Sequence, residues 1–238
     1  MSPRTLTAIA VEGIGEIRPG DEIAVHIAEA ARAQGTPLVD RDCLVVTQKV
    51  VSKAEARLVA LDPDDLAAKR ALVESESVRI VRQRGDLVIS ETRHGFVCAN
   101  AGIDLSNVDT GTAALLPVDP DRSANHIRDA ARARYHVEIG VIISDTFGRA
   151  WRLGLTDVAI GVSGIAAVVD LRDTPDANGR ILHVTEVAIA DEIAAAAELV
   201  MGKAMGVPAA IVRGLDPEWF GDGSYRDLVR PASEDLFR

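Results

Sequence analysis

Two periods of apolar spacing run along this chain, and they predict different elements. Short continuous or alternating apolar runs predict strands over 6–11, 43–47, 87–91, 95–101, 139–143, 159–169, 181–188 and 208–213. Helical spacing follows the Arg18-Pro19-Gly20-Asp21 turn, where Ile23, Ile27, Ala30 and Ala31 repeat at three- and four-residue intervals and Asp21 is placed to cap them. A heavily charged helix is predicted over 62–84, starting at an Asp-Pro-Asp-Asp cap. An Arg-rich amphipathic helix is predicted over 123–135 with Ser123 as its cap, and an Ala-rich helix over 190–203. The 92–94 turn joins two of the strands.

Helices and strands mix without strict βα alternation, so the expected fold class is α+β, with mixed sheets and helices, rather than a doubly wound sheet. No repeat, low-complexity tract or linker divides the chain, and residues 1–238 are treated as one domain. An apolar share of 47% excludes wholesale disorder. Against 26 Lys and Arg stand 36 Asp and Glu, a net charge of −10. That balance disfavours nucleic acid and anionic membranes as partners, and implies that any phosphate chemistry needs metal ions. The apolar runs are too short to span a membrane, and 1–13 lacks a signal-peptide core, so a cytoplasmic protein is expected. Cys43 and Cys98 fit no zinc spacing and are expected to be buried free thiols.

Familiar nucleotide and hydrolase signatures are absent. No P-loop occurs, Arg18 breaks the glycine pattern begun by Gly13 and Gly15, and neither GxSxG nor HExxH is found. His94 and His183 read as surface or structural residues. Four other groupings carry chemistry. Asn100 to Asn107 offers Asp104, Ser106 and Asn107 after a strand, which suits a hard cation or an Asx turn. A buried strand delivers Asp145 and Thr146 at its carboxyl end, with Arg149 and Arg152 beyond, which suits a metal–phosphate site or a helix cap. Lys49 and Lys53, beside Gln48, follow another strand end and are either phosphate cations or solvated lysines. Glu186 sits at a strand position, while Asp191 and Glu192 fit the start of a helix.

In this order, these segments resemble one family, the coenzyme F420-0:L-glutamate ligases, also called F420-0:gamma-glutamyl ligases. The stretches that carry the likeness are VEGIGEIRPGDEI, VVTQKVVSKAEARLV, NAGIDLSNV, LLPVDPDRSA, VIISDTFGRAWRLGLTD, AIGVSGIAAV, VTEVAIADEIAAAAELVMGK and AAIVRGL, with RPASEDLF at the tail. The resemblance implies two intertwined subdomains and a homodimer. It implies GTP-dependent addition of L-glutamate to F420-0, then of further glutamates by γ-linkage, with Mg²⁺ or Mn²⁺ and helped by K⁺. Asp104 and Asp145 are implied as ligands of one metal and Thr146 of a second. Ile14, Gly15, Glu16, Ile17, Gln48, Lys49, Lys53 and Asn107 are implied as nucleotide contacts, with Met201, Gly202 and Lys203 opening a further nucleotide loop. Archaeal relatives carry an acid where Lys203 stands, so the second metal is expected to be held differently. No C-terminal flavin domain follows, so no FMN is implied. An acyl-phosphate route is expected, with Lys53 and Arg149 as catalytic candidates and Arg149 and Arg152 directed at substrate. Two rival classes are a metal-dependent nucleotide phosphohydrolase and a non-catalytic nucleotide-binding subunit.

Overall fold

The computed structural model describes residues 4–236, so Phe237 of the tail lies outside the described residues. In chain order the elements are β1 (Thr7–Ala10), α1 (Ile23–Ala33), β2 (Cys43–Thr47), α2 (Gln48–Ala54), β3 (Leu58–Ala60) and α3 (Leu66–Glu76). They continue with β4 (Ser77–Arg84), β5 (Leu87–Thr92), β6 (Val97–Ala99), β7 (Thr112–Ala114), α4 (Pro120–Tyr135) and β8 (Gly140–Gly148). The last are β9 (Leu155–Ser163), β10 (Val169–Asp170), β11 (Glu186–Val187), α5 (Ile189–Met201) and β12 (Ala209–Arg213). The fold is α+β.

A five-stranded sheet, ordered β1-β12-β2-β8-β9, forms the centre. Within it β2 and β8 pair in parallel while every other neighbour is antiparallel. Alternation along each strand decides what covers each face. Leu44, Val46, Val141, Ile143 and Ile160 point to one side and pack under α1 and α4. Cys43, Val45, Ile142, Val162, Ala210 and Val212 point to the other and pack under α5. Both faces of β2 and β8 are therefore dry, which is why these strands read as continuous apolar runs. The excursion between α2 and α4 carries α3, the β3–β7 pair and the sheet β4-β5-β6, with a small core of Val73, Val88 and Ala101.

The helix predicted over 62–84 is two elements. Asp65 caps α3 by accepting from the Ala68 amide, and the helix stops at Glu76. Ser77 then turns extended and β4 pairs with β5. The β-branched Val78, Ile80 and Val81 favour that state over helix. Other boundaries shift for similarly local reasons. Asp21 accepts from the Arg18 amide and closes the turn, so it does not cap α1. Asp119 caps α4 four residues before Ser123, whose hydroxyl donates to Glu55. The run predicted over 159–169 spans the end of β9 and the start of β10, and 181–188 contains only the two-residue β11. No described helix is long and apolar enough to cross a membrane.

Candidate functional site

Parallel neighbours β2 and β8 end side by side, and a cavity of about 270 Å³ opens at their carboxyl ends. Its wall is built from five chain segments: the 14–17 loop, the start of α2, the loop bearing Asp104 and Asn107, the ends of β8 and β9, and α5 with the loop after it. Because α2 starts directly after β2, its residues are fixed at the cavity by helical spacing. Gln48 and Ser52, four apart, turn inward: the Ser52 hydroxyl donates its one proton to the Leu115 carbonyl at 2.6 Å, and its oxygen lies 2.8 Å from the Gln48 side-chain amide. Lys49 and Lys53 share a neighbouring face. Lys49 Nζ lies 2.9 Å from Asp104 Oδ2 and 3.0 Å from Ser106 Oγ, and Lys53 pairs with Glu16 of the 14–17 loop.

The Asp104 loop is shaped by backbone in the left-handed region. Asn100, Ala101 and Gly102 have φ of 50°, 54° and 72° in succession, followed by Asn107 at 52°. A Cβ on Gly102 would stand 2.8 Å from Leu116 carbons, so only glycine fits this close approach. Ser106 donates its amide to Asp104 Oδ1 at 2.7 Å. Burial pushes the Asp104 carboxyl up, but hydrogen bonds from Lys49 and Ser106 outweigh it and hold the group below the ordinary range.

At the end of β8 the alternation of the strand splits the acidic groups between the two faces of the sheet. Asp145 belongs with the residues under α1 and α4, and its carboxyl feels Asp104. Burial, together with the negative charges of Asp104 and Asp157, holds it at about 7 against the pull of the Thr146 amide and Lys203. Thr146 turns to the α5 side. There Asp157 Oδ1 accepts its hydroxyl at 2.6 Å and Asp157 Oδ2 accepts that of Ser144 at 2.8 Å. Glu198 of α5 completes this side, raised by burial and by Asp157 and lowered by Lys203.

A one-residue bulge makes this arrangement possible. Ile143 pairs with Gly161, but Ser144 pairs with Ala159, so Ile160 is the extra residue in β9. Were Ile160 paired with Ser144 in regular register, Val158 would oppose Thr146, and Asp157 would face the other side of the sheet.

The residues predicted from the sequence converge to a large extent. Ile14, Gly15, Glu16, Ile17, Gln48, Lys49, Lys53, Asp104, Asn107, Asp145, Thr146, Gly202 and Lys203 all line the cavity. Met201 does not: it is 1% exposed in the core beneath α5. Arg149 lies beyond the wall on the β8–β9 turn, where its guanidinium donates to the Leu153 carbonyl at 2.8 Å. Sequence reasoning missed Asp157 and Glu198. The available signal was a lone acid in each of two apolar contexts, between Thr156 and Val158 and within the alanine run of α5.

Two observations bear on what the cavity can hold. Gln48 is 1% exposed, and one end of its side-chain amide has no hydrogen-bond partner among the described residues, so an unsatisfied polar group waits at the wall. The oxygens of Asp104, Asp145 and Thr146 are hard donors, and Asp145 is held by like charge in a state that a cation would relieve, so these residues fit a divalent ion. Among the described residues no three His, Cys, Asp or Glu side chains form a ready metal cage. The protein would thus supply only part of a coordination shell, leaving the remainder to water and ligand oxygens.

Comparison with known proteins gives a consistent result. The family described as F420-0:Gamma-glutamyl ligase matches residues 13–214. A coenzyme F420:L-glutamate ligase of Methanothermobacter thermautotrophicus is 45% identical over 98% of this chain and 99% of its own. Proteins of the same name from Methanopyrus kandleri and Methanocaldococcus jannaschii are 44% identical over 94% of both chains, and 41% identical over 85% of this chain and 86% of the relative.

Proposed function

The chain belongs to the F420-0:gamma-glutamyl ligase family, and from that premise we propose that it joins L-glutamate to coenzyme F420-0 using GTP and divalent metal. The observation that carries the reading is the convergence of Lys49, Lys53, Gln48, Asp104, Asp145 and Thr146 on one cavity at the ends of two parallel strands. Ligand sites in sheet proteins favour that position.

In this reading the F420-0 carboxylate attacks the γ-phosphorus of GTP and GDP leaves. The glutamate amine then attacks the acyl carbon of the mixed anhydride, phosphate leaves, and the amine gives up a proton. Both partners in the first step are anions, and the chemistry asks more for positioning and charge compensation than for a nucleophilic side chain. Lys53, drawn from Glu16, is assigned to phosphate, and Lys49 moves from Asp104 to the same role. The unpaired end of the Gln48 amide hydrogen-bonds to the nucleotide. Asp104 and Asp145 would hold one divalent ion and Thr146 a second, and bound there such ions would offset phosphate charge. Further γ-linked additions, a homodimeric assembly and assistance by K⁺ belong to the same proposal.

The test is direct. The protein is incubated with F420-0, L-glutamate, GTP and Mn²⁺, and the products are read by mass spectrometry. Glutamyl additions with matched GDP release support the proposal. GTP breakdown without glutamate would favour a phosphohydrolase. GTP binding without turnover under any acceptor would favour a nucleotide-binding subunit.

A further inference from the structure

Asp157 is a carboxylate only 2% exposed, set in a strand between apolar neighbours, and no side-chain cation pairs with it among the described residues. A buried charge so placed is costly unless its surroundings compensate it. Here both oxygens accept hydroxyl protons, from Ser144 and from Thr146. A hydroxyl that gives its one proton to a carboxylate keeps only lone pairs for other partners. Ser144 and Thr146 both line the cavity, so their oxygens present it with an acceptor-only surface. Had Asp157 been an amide, one of the hydroxyls would accept from its NH₂ and turn its own proton outward.

We propose that Asp157 is a positioning residue for cation binding: by taking the protons of Ser144 and Thr146, it fixes both hydroxyl oxygens as acceptors toward a divalent ion on the α5 side of the cavity. The inference rests on the metal–nucleotide reading of the cavity and adds a residue that the reading did not contain. It also gives the bulge at Ile160 a purpose, since that one extra residue brings Asp157 opposite Thr146. Asp157 acts through the hydroxyls, each of its oxygens taking one hydroxyl proton.

The experiment titrates Mn²⁺ against the full chain, with and without GTP, and follows the free ion by electron paramagnetic resonance. Asp157→Asn is expected to weaken Mn²⁺ binding by about 10–100-fold, the usual effect of removing a partner behind a metal ligand, with the thermal midpoint nearly unchanged. Thr146→Val should weaken it comparably, and Asp157→Asn in the Thr146→Val background should add little, whereas a merely structural role would add its full effect. If Asp157→Asn does not fold, a Ser144→Ala, Thr146→Val double variant that retains Asp157 must show the same loss. Unchanged Mn²⁺ affinity in a folded Asp157→Asn, or in that double variant, would overturn the inference while leaving the ligase reading intact. A wild-type protein that binds no Mn²⁺ under either condition would overturn both.

Discussion

Lys49 and Asp104 are partners across 55 residues of chain: the ammonium stands 2.9 Å from Oδ2 in a pair whose side chains are 15% and 23% exposed. A cation assigned to phosphate is therefore held by a carboxylate assigned to metal. The two assignments are compatible only if Lys49 leaves Asp104 when the ion arrives.

Lys49→Met separates the two roles. Removing the competing ammonium should tighten Mn²⁺ binding severalfold in the absence of nucleotide. GTP binding should weaken about tenfold or more, in line with a charge-assisted hydrogen bond of about 1.5–3 kcal/mol. Calorimetric titration of each ligand alone reads both effects, and a fall in both affinities would refute the exchange.

Asp145 gives a pH signature whose sign follows from its carboxyl being held at about 7. The folded protein keeps this proton where the unfolded chain has lost it. The associated stability is complete below the ordinary carboxylate value of 3.8 and is lost as pH rises through about 7. Metal-free protein should thus lose on the order of 4 kcal/mol across that window, and Mn²⁺ should restore it at the alkaline end. Asp145→Asn should remove this component, leave the metal-free fold the more stable of the two at about pH 8, and abolish ligation. Parallel stability curves for the two proteins would count against the assignment.

Gly102 can be tested through Leu116. Gly102→Ala combines an unfavourable φ of 72° with a Cβ 2.8 Å from the leucine, and should cost about 2–4 kcal/mol in a denaturant titration. Adding Leu116→Ala removes the clash, so the double variant should fall at least about 1 kcal/mol short of the summed single effects. Simple additivity would show that the close approach is not the cause.

The two thiols should be inert in the native protein. Cys43 is 0% and Cys98 6% exposed, both are free, and burial raises both above the usual thiol range, Cys98 to about 12 with help from the Asp145 charge. A thiol reagent should therefore label neither residue before unfolding and both after it. Rapid labelling of the folded protein would contradict their burial.

The legible parts of the sequence were those where a local pattern coincides with tertiary burial. The strand at 43–47 was read to the residue, and the apolar run into Asp145 and Thr146 already placed chemistry at a strand end. Where local propensity conflicts with charge, the reading failed. In 62–84 the charged pattern of α3 continues into β4, and only the β-branched Val78, Ile80 and Val81 mark the change. Asp157 could not be placed at all without knowing that Ile160 is bulged, since one residue of register decides which face it occupies. Arg149 looked poised by sequence proximity, but the hairpin carries it past the cavity.

An edge pairing of the central sheet joins segments far apart in the chain: Thr7 of β1 lies opposite Arg213 of β12. The cavity inherits this closure, because one wall comes from residues 14–17 and another from residues 202–208. During synthesis the first wall must therefore wait for nearly the whole polypeptide to emerge before the second exists. Contacts this distant in sequence form slowly. A nascent or truncated chain that has already made β2, α2 and their lysines would still have no complete pocket, which ties completion of the cavity to the end of folding.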